Sequence, residues 1–217
     1  GVFGTVMSRV RAIPTGSVDY LTFITPGVLM QSTSFIAMAY GIMLVWERES
    51  GILKKVLTLP VSRFTIAFGR SLAGATRALT QLFVILLIAL PLGAKLLISP
   101  IPLLLAVAAV FVGSMGLTAL SILLATFMKT RERFMGILQA ITMPLFFASN
   151  AIYPIEIMPA PIQAFSRVNP LTYVIQALRD ALIYGDYLAS LWNIAIIASF
   201  SLALVLLASA LLGKIVE

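Results

Sequence analysis

The chain of 217 residues is 60% hydrophobic and only 11% charged, and its net charge is +7. Because an ordinary soluble domain is about 25% charged, this composition excludes a soluble globular protein and predicts helices surrounded by lipid. The sequence contains neither Cys nor His, which excludes disulfides, thiolate metal sites and imidazole bases. Its basic residues form short clusters between apolar runs, a pattern that indicates membrane topology rather than nucleic-acid binding.

Apolar segments recur along the chain at lengths close to the roughly 20 residues that a membrane span needs. After a mixed N-terminal arm, the predicted spans cover about residues 20–46, 72–94, 103–127, 134–153 and 188–213. No repeat and no linker divides the chain. The sequence therefore predicts an all-α polytopic membrane protein that forms a single transmembrane domain, residues 1–217, with about five spans.

A charged island between the first two predicted spans orients the chain. It runs from Glu47 to Arg77 and carries six basic residues against two acidic ones. Because Lys and Arg are retained on the cytoplasmic side of a membrane, we expect this island in the cytoplasm. The same rule then places the N-terminus outside and the C-terminus in the cytoplasm. We expect the protein in the cell membrane.

A short amphipathic helix is predicted within the island, at about residues 50–59. Pro60 is expected to end it, and Ser62 to cap the helix that follows. An exposed apolar face needs either lipid headgroups or a partner protein. Docking of a partner is therefore favoured over a solvated basic loop that only fixes topology. The apolar face comprises Ile52, Leu53, Val56 and Leu57.

Residues 154–185 differ from the spans because four prolines divide them into pieces too short to cross a bilayer. The pair Asn169 and Pro170 predicts a helix start, and Gly185 predicts a helix stop. We expect two short helices that dip into the outer leaflet or lie on it. The second of them should bury an apolar stripe formed by Leu171, Val174, Ile175, Leu178 and Leu182.

Two stretches resemble the ABC-2 type permeases, the transmembrane subunits of ABC exporters such as the daunorubicin exporters. The first comprises residues 47–53, ERESGIL, and residues 57–63, LTLPVSR. The second runs from Tyr153-Pro154 through Met158-Pro159 to NPLTY at 169–173 and then Arg179; it is similar to the outer re-entrant segment of that family. Ile52 and Lys54 depart from the first motif, where the family has threonine and glutamate.

This resemblance implies the transmembrane fold of type V ABC transporters, with six spans, so that this chain would lack the first span. It implies a permease subunit that is not an enzyme and that pairs with a second copy or a close relative. A separate ATPase subunit would use ATP and Mg, with no cofactor bound by this chain, to export a drug-, lipid- or amphiphile-like substrate. The implied ATPase-coupling residues are Glu47, Arg48, Glu49, Gly51, Ile52, Leu53, Val56, Leu57 and Pro60.

Other polar residues each have two interpretations. Gln31, Gln139, Thr142 and Asn150 either bond to neighbouring helices or line a substrate path. Asn169, Pro170, Tyr173 and Arg179 either cap and anchor an interfacial helix or gate the outer mouth of the pathway. Arg77, with Gln81 one turn later, either snorkels to the membrane surface or receives an anionic headgroup.

Three alternatives remain weaker. Residues 69–76 have the glycine spacing of a phosphate loop, but Ala75 replaces its lysine, so close helix packing by Gly69, Ala73 and Gly74 is expected. A secondary transporter needs a carboxylate at the midplane, whereas the acidic residues here fall at segment ends. An intramembrane Ser–Lys hydrolase is disfavoured because Lys95 and Lys214 lie at membrane edges. Export of a polysaccharide or an ion by an ABC permease is a further alternative.

Overall fold

The computed structural model describes residues 18–58, 60–128 and 130–212, and within these ranges the chain forms helices and turns without a strand. Four of the helices are long and apolar enough to cross a membrane. They are α1 (Tyr20–Glu49), α3 (Arg63–Ala89), α4 (Pro100–Phe127) and α8 (Tyr187–Leu211). The chain alternates direction between them, so that α1 ends and α3 begins at one end of the bundle, called here the island end.

Shorter elements connect these four helices. At the island end lie α2 (Ile52–Leu57) and the start of α5 (Arg131–Phe147). The opposite end carries a 3₁₀ turn (Ile155–Ile157), α6 (Ala160–Val168), α7 (Pro170–Arg179) and a π-helical turn (Asp180–Tyr184). Residues 1–17, which make up most of the predicted N-terminal arm, and residue 213 of the last predicted span lie outside the described residues.

The helix over the fourth predicted span is shorter than the expected range 134–153. With 17 residues it rises by about 26 Å, slightly less than the roughly 30 Å of a hydrocarbon core. It ends at Phe147, and just beyond this end the hydroxyl of Ser149 donates to the carbonyl of Phe146 at 2.6 Å and accepts from the amide of Ala151 at 3.3 Å. The number of spans therefore stays a prediction.

Local signals in the sequence correctly placed several helix ends. The Ser62 hydroxyl accepts the amide of Thr65 at 3.1 Å and caps α3. Asn169 caps α7, and Gly185 ends the π-helical turn with a φ of 71°. The predicted stripe on α7 and the π-helical turn is buried throughout. These matches confirm the prediction of short helices in the segment 154–185.

Helix α4 lies at the centre and packs against α1, α3, α7 and α8. Small residues make these contacts close, as is usual where helices associate in lipid. Gly113 faces Val174 of α7, Gly116 faces Ser201 of α8, and a Cβ at either glycine would meet the neighbouring side chain.

The contact between α4 and α1 is also hydrogen-bonded. The amide of Gly41 donates to the Ser121 hydroxyl at 3.1 Å, and that hydroxyl donates to the carbonyl of Met38 at 2.5 Å. A Cβ on Gly41 would lie 2.7 Å from the carbonyl oxygen of Ser121. Only glycine permits this approach, so the backbones of α1 and α4 lie close together here.

The glycine-rich stretch of α3 packs through one of its two glycines only. Gly74 is buried against Thr118 of α4. Gly69 meets nothing within 4 Å among the described residues, and the side chain of Ala73 is exposed. The expected packing is thus right for Gly74 and wrong for Gly69 and Ala73, because the buried face of α3 follows Ala67, Ser71, Gly74 and Ala78.

We predict that Gly74→Ala lowers the midpoint of thermal unfolding of the detergent-purified protein. The new methyl would lie 2.8 Å from Cγ2 of Thr118, and such overpacking costs about 1–3 kcal/mol. Gly69→Ala is the matched control on the same helix and should maintain or raise the midpoint, since alanine favours a helix by about 1 kcal/mol over glycine. Thr118→Ala should recover the Gly74→Ala loss; equal effects of the two glycine substitutions would contradict this packing.

Candidate functional site

Three consecutive charged residues at the end of α1, called here the ERE triplet (Glu47, Arg48 and Glu49), tie α1 to three other helices. The Glu47 carboxylate forms an ion pair with Arg70 of α3. The Nη1 of Arg48 donates to the carbonyls of Met128 at 3.1 Å and Thr126 at 3.4 Å. These carbonyls lie at the end of α4, where a helix has no internal donors for them; Arg48 therefore caps α4.

Glu49 performs the reciprocal role at the start of α5. Its carboxylate accepts the backbone amide of Arg131 at 3.2 Å and its Nε at 2.7 Å. An acidic group at a helix start satisfies free amides and interacts favourably with the helix dipole. The ERE triplet, which the resemblance assigned to ATPase coupling, thus joins α1, α3, α4 and α5 at the island end.

Helix α2 follows the triplet directly. Gly51, with a φ of 74°, turns the chain between the two helices, a backbone conformation that favours glycine. Leu53 is only 2% exposed and belongs to the core, whereas Ile52 is 41% exposed. Lys55 is also exposed, and Val56 is partly buried. The helix therefore has one buried anchor and one free face.

The predicted coupling residues do not all share that free face. Leu53 was expected on the docking surface, and its burial corrects that expectation. Helical spacing did not distinguish Leu53 from Ile52, because adjacent residues on so short a helix can each face the bundle. Pro60 is exposed beyond the end of α2, and the side chain of Leu57 lies outside the described residues.

The four predicted pathway residues are not gathered at one place. Thr142 of α5 donates to the carbonyl of Leu138 at 2.6 Å and contacts the sulfur of Met38 on α1 at 3.1 Å. Gln139 is exposed and forms no hydrogen bond within the described part of the chain. Gln31 of α1 has a buried Oε1 that accepts no hydrogen bond from any described residue.

Asn150 belongs instead to a polar cluster at the opposite end, called here the outer cluster. Its Nδ2 donates to Oε1 of Gln176 at 3.1 Å, and Nε2 of Gln176 donates to Oδ1 of Asp180 at 2.8 Å. Nδ2 of Asn193 donates to the other oxygen of Asp180 at 2.9 Å. The cluster joins the turn after α5 to α7, the π-helical turn and α8.

Burial of the Asp180 carboxyl raises its pKa above the usual value, and the hydrogen bonds from Gln176 and Asn193 oppose that rise. Asp180 is 5% exposed. Sequence reasoning missed Gln176, Asp180 and Asn193. A signal was present, because Gln176 and Asp180 are four residues apart and share one helical face.

Arg179 lies beside this cluster but bonds elsewhere. Its guanidinium is 2% exposed and donates to the carbonyls of Phe23 at 3.3 Å and Ala151 at 3.2 Å. Its central carbon also lies 3.7 Å from the centre of the Phe23 ring, a cation–π contact. Burial lowers the pKa of Arg179 to about 10, so the group stays protonated at neutral pH.

The other residues of the predicted outer gate form capping contacts. Nδ2 of Asn169 donates to the carbonyl of Leu145 at 2.6 Å, and its Oδ1 accepts the amide of Leu171 at 3.0 Å. The hydroxyl of Tyr173 donates to the carbonyl of Arg167 at 2.6 Å. Pro170 begins α7. These contacts favour the anchoring interpretation, while gating stays a prediction.

Known proteins resemble this chain over most of its length. The putative transport permease ycf38 of Cyanophora paradoxa is 32% identical over 174 residues, which cover 79% of this chain and 59% of that protein. The daunorubicin resistance ABC transporter permease protein DrrB1 of Streptomyces coeruleorubidus is 25% identical over 86% of this chain and 65% of its own length. The probable multidrug ABC transporter permease YbhR of Escherichia coli K12 is 22% identical over 82% of this chain and 48% of its own.

The chain spans less than two thirds of the length of these relatives. A family match covers residues 1–183 and includes the ERE triplet, α2 and most of the outer cluster. With this match and the four apolar helices, the chain belongs to the ABC-2 type transporter family of membrane transport permeases.

Proposed function

We propose that this chain is the transmembrane permease subunit of an ATP-driven exporter whose energy comes from a separate ATPase subunit. The observation that carries the proposal is α2, a short helix with an exposed face formed by Ile52 and Lys55 and a buried anchor at Leu53. Two relatives of this chain, DrrB1 and YbhR, are named as ABC transporter permeases. An ATPase that binds α2 would therefore act on a helix whose Leu53 packs into the core of the bundle.

Force on α2 would reach the spans through the ERE triplet. Gly51 connects α2 to the end of α1, and Arg48 and Glu49 join that end to α4 and α5. Because these contacts lie at helix termini, a displacement of α2 would move several helices together. The ATPase would bind ATP and Mg, and its cycle would shift the permease between inward- and outward-open states.

A second permease copy would complete the pathway. Large apolar side chains such as Phe35 and Met43 of α1 and Met143 of α5 are about half exposed. In a bilayer they meet either lipid or another subunit. The names of DrrB1 and YbhR support a drug- or amphiphile-like substrate.

We predict that Ile52→Asp reduces the amount of ATPase subunit that co-purifies with the permease in mild detergent by roughly fivefold or more, as expected for loss of an interface anchor. Ile52 is exposed, so the substitution should leave folding of the permease unchanged. Ile157→Asp is the matched control, because Ile157 is similarly exposed but lies at the opposite end. Undiminished ATPase recovery with Ile52→Asp would refute docking on α2.

A second prediction separates coupling from docking. Arg48→Gln should retain the ATPase but lower the amount of daunorubicin transported into inside-out vesicles per ATP hydrolysed, since α1 then loses its charged contact with the end of α4. Arg133→Gln removes an exposed charge on α5 and should leave this ratio unchanged. If Arg48→Gln transports with full efficiency, force does not pass through this contact.

Ion-coupled transport is a second candidate function, and the buried Asp180 carboxylate favours it. The sequence placed Asp180 at a segment end, but the structure buries it. Its two oxygens accept hydrogen bonds from Gln176 and Asn193, which also fits a purely structural link.

We therefore predict no daunorubicin uptake when the ATPase subunit is catalytically disabled and a proton gradient is imposed on the vesicles. Each vesicle preparation is compared with one that contains the active ATPase and ATP. Gradient-driven uptake that disappears in Asp180→Asn would instead establish ion coupling and overturn the ATP-driven proposal.

A further inference from the structure

A groove of about 250 Å³ lies between α1 and α3, toward the island end. Three apolar residues of α1, Ile36, Ala39 and Met43, form most of its wall, and Tyr40 and Arg77 complete it. The Tyr40 hydroxyl donates to the carbonyl of Ala73 at 3.3 Å and holds the two helices together there. The groove is thus apolar with a single cation at its edge.

Arg77 differs from Arg70, the basic residue that precedes it on α3. Arg70 forms an ion pair with Glu47. Arg77 is exposed, and no carboxylate or other acceptor among the described residues bonds to its guanidinium. Arg77 therefore places a guanidinium beside an apolar groove without a hydrogen-bond or ion-pair partner among the described residues.

At the depth at which Arg77 lies, a guanidinium without a partner costs free energy. It lies seven residues beyond Arg70 along α3, a rise of about 10 Å toward the middle of the bundle. No other charged residue follows it on α3 as far as Ala89. A guanidinium at this depth must either extend back to the headgroup layer or bind an anion.

We propose that this groove binds one anionic phospholipid, with its phosphate on Arg77 and an acyl chain along Ile36, Ala39 and Met43. Arginine binds phosphate through two parallel hydrogen bonds, which fixes the headgroup as well as attracting it. An anionic lipid is preferred over a zwitterionic one, because the phosphate of the latter is already balanced by its own ammonium group. The surrounding bilayer supplies both the apolar chain and the anion, and the site does not depend on the proposed transport function.

Trp46 provides a local probe of this groove. It lies three residues after Met43 on α1 and is 46% exposed. The only other tryptophan in the sequence, Trp192, lies on α8 and can be replaced by Phe. Trp192→Phe leaves Trp46 as the one tryptophan of the 217-residue sequence, so that fluorescence reports on Trp46 alone.

The experiment reconstitutes this single-tryptophan protein in phosphatidylcholine vesicles that contain a small fraction of brominated phosphatidylglycerol or brominated phosphatidylcholine. We expect the anionic lipid to quench Trp46 at a mole fraction about fivefold lower than the zwitterionic one, the preference that one basic residue typically gives. Arg77→Gln should equalise the two lipids, and Arg77→Lys should keep part of the preference. Arg63→Gln, an exposed cation on the same helix but outside the groove, should leave the preference unchanged.

Several outcomes would overturn the proposal. Equal quenching by the two lipids in the parent protein would show that the groove has no charge selectivity. An anionic preference that survives Arg77→Gln would assign it to other cations. Failure of both lipids to quench Trp46 would show that protein, such as a second copy of this chain, covers the groove.

Discussion

Close approach of helices to α4 is the constraint on which the rest of the structure depends. Moving an apolar side chain from lipid into a contact between helices yields little free energy, so helices in a membrane associate through close packing and hydrogen bonds. Small residues of α4 allow this on each side, as the contacts of Gly116 with Ser201 and of Thr118 with Gly74 show. The hydroxyl of Ser121 adds a hydrogen-bonded link to α1. Because α4 is the shared partner, the positions of α1, α3 and α8 relative to one another follow from it.

Among the described residues, the charged groups that join one helix to another lie toward the ends of the bundle. The packed middle of α4 is apolar or hydroxylated, and charge would be costly there. At the island end, Arg48 and Glu49 satisfy free carbonyls and amides of α4 and α5 that packing cannot satisfy. The same residues thereby join the bundle to α2. The contacts that satisfy the free carbonyls and amides at these helix ends are therefore the same contacts through which force from α2 would pass.

The sequence predicted elements well where one residue determines the local backbone. Ser62, Asn169 and Gly185 each mark a helix end, because capping and a left-handed backbone depend on near neighbours. Contacts between distant residues were not predictable in this way. Nothing in the triplet of residues 47–49 shows that its members bond to three other helices, and the outer cluster draws on residues 43 positions apart, from Asn150 to Asn193.

Burial also separated residues that the sequence treated alike. The periodicity of α2 gave Ile52 and Leu53 one role, but only the packing of the bundle decides which of two adjacent side chains is covered. The same limit applied to Gly69 and Gly74. Their spacing predicted that both pack against a neighbouring helix, but among the described residues only Gly74 does so. Without partner helices in view, a helical pattern defines a face only to within about one residue.

The choice of acceptors for Arg179 has an evolutionary consequence. Its guanidinium bonds to main-chain carbonyls at Phe23 and Ala151 rather than to carboxylates. Every amino acid carries such a carbonyl, so mutation at Ala151 cannot delete its half of the bond. The arginine thus joins two distant segments of the chain through a bond that any residue at position 151 could accept, and only the burial of Ala151 restricts the side chain there.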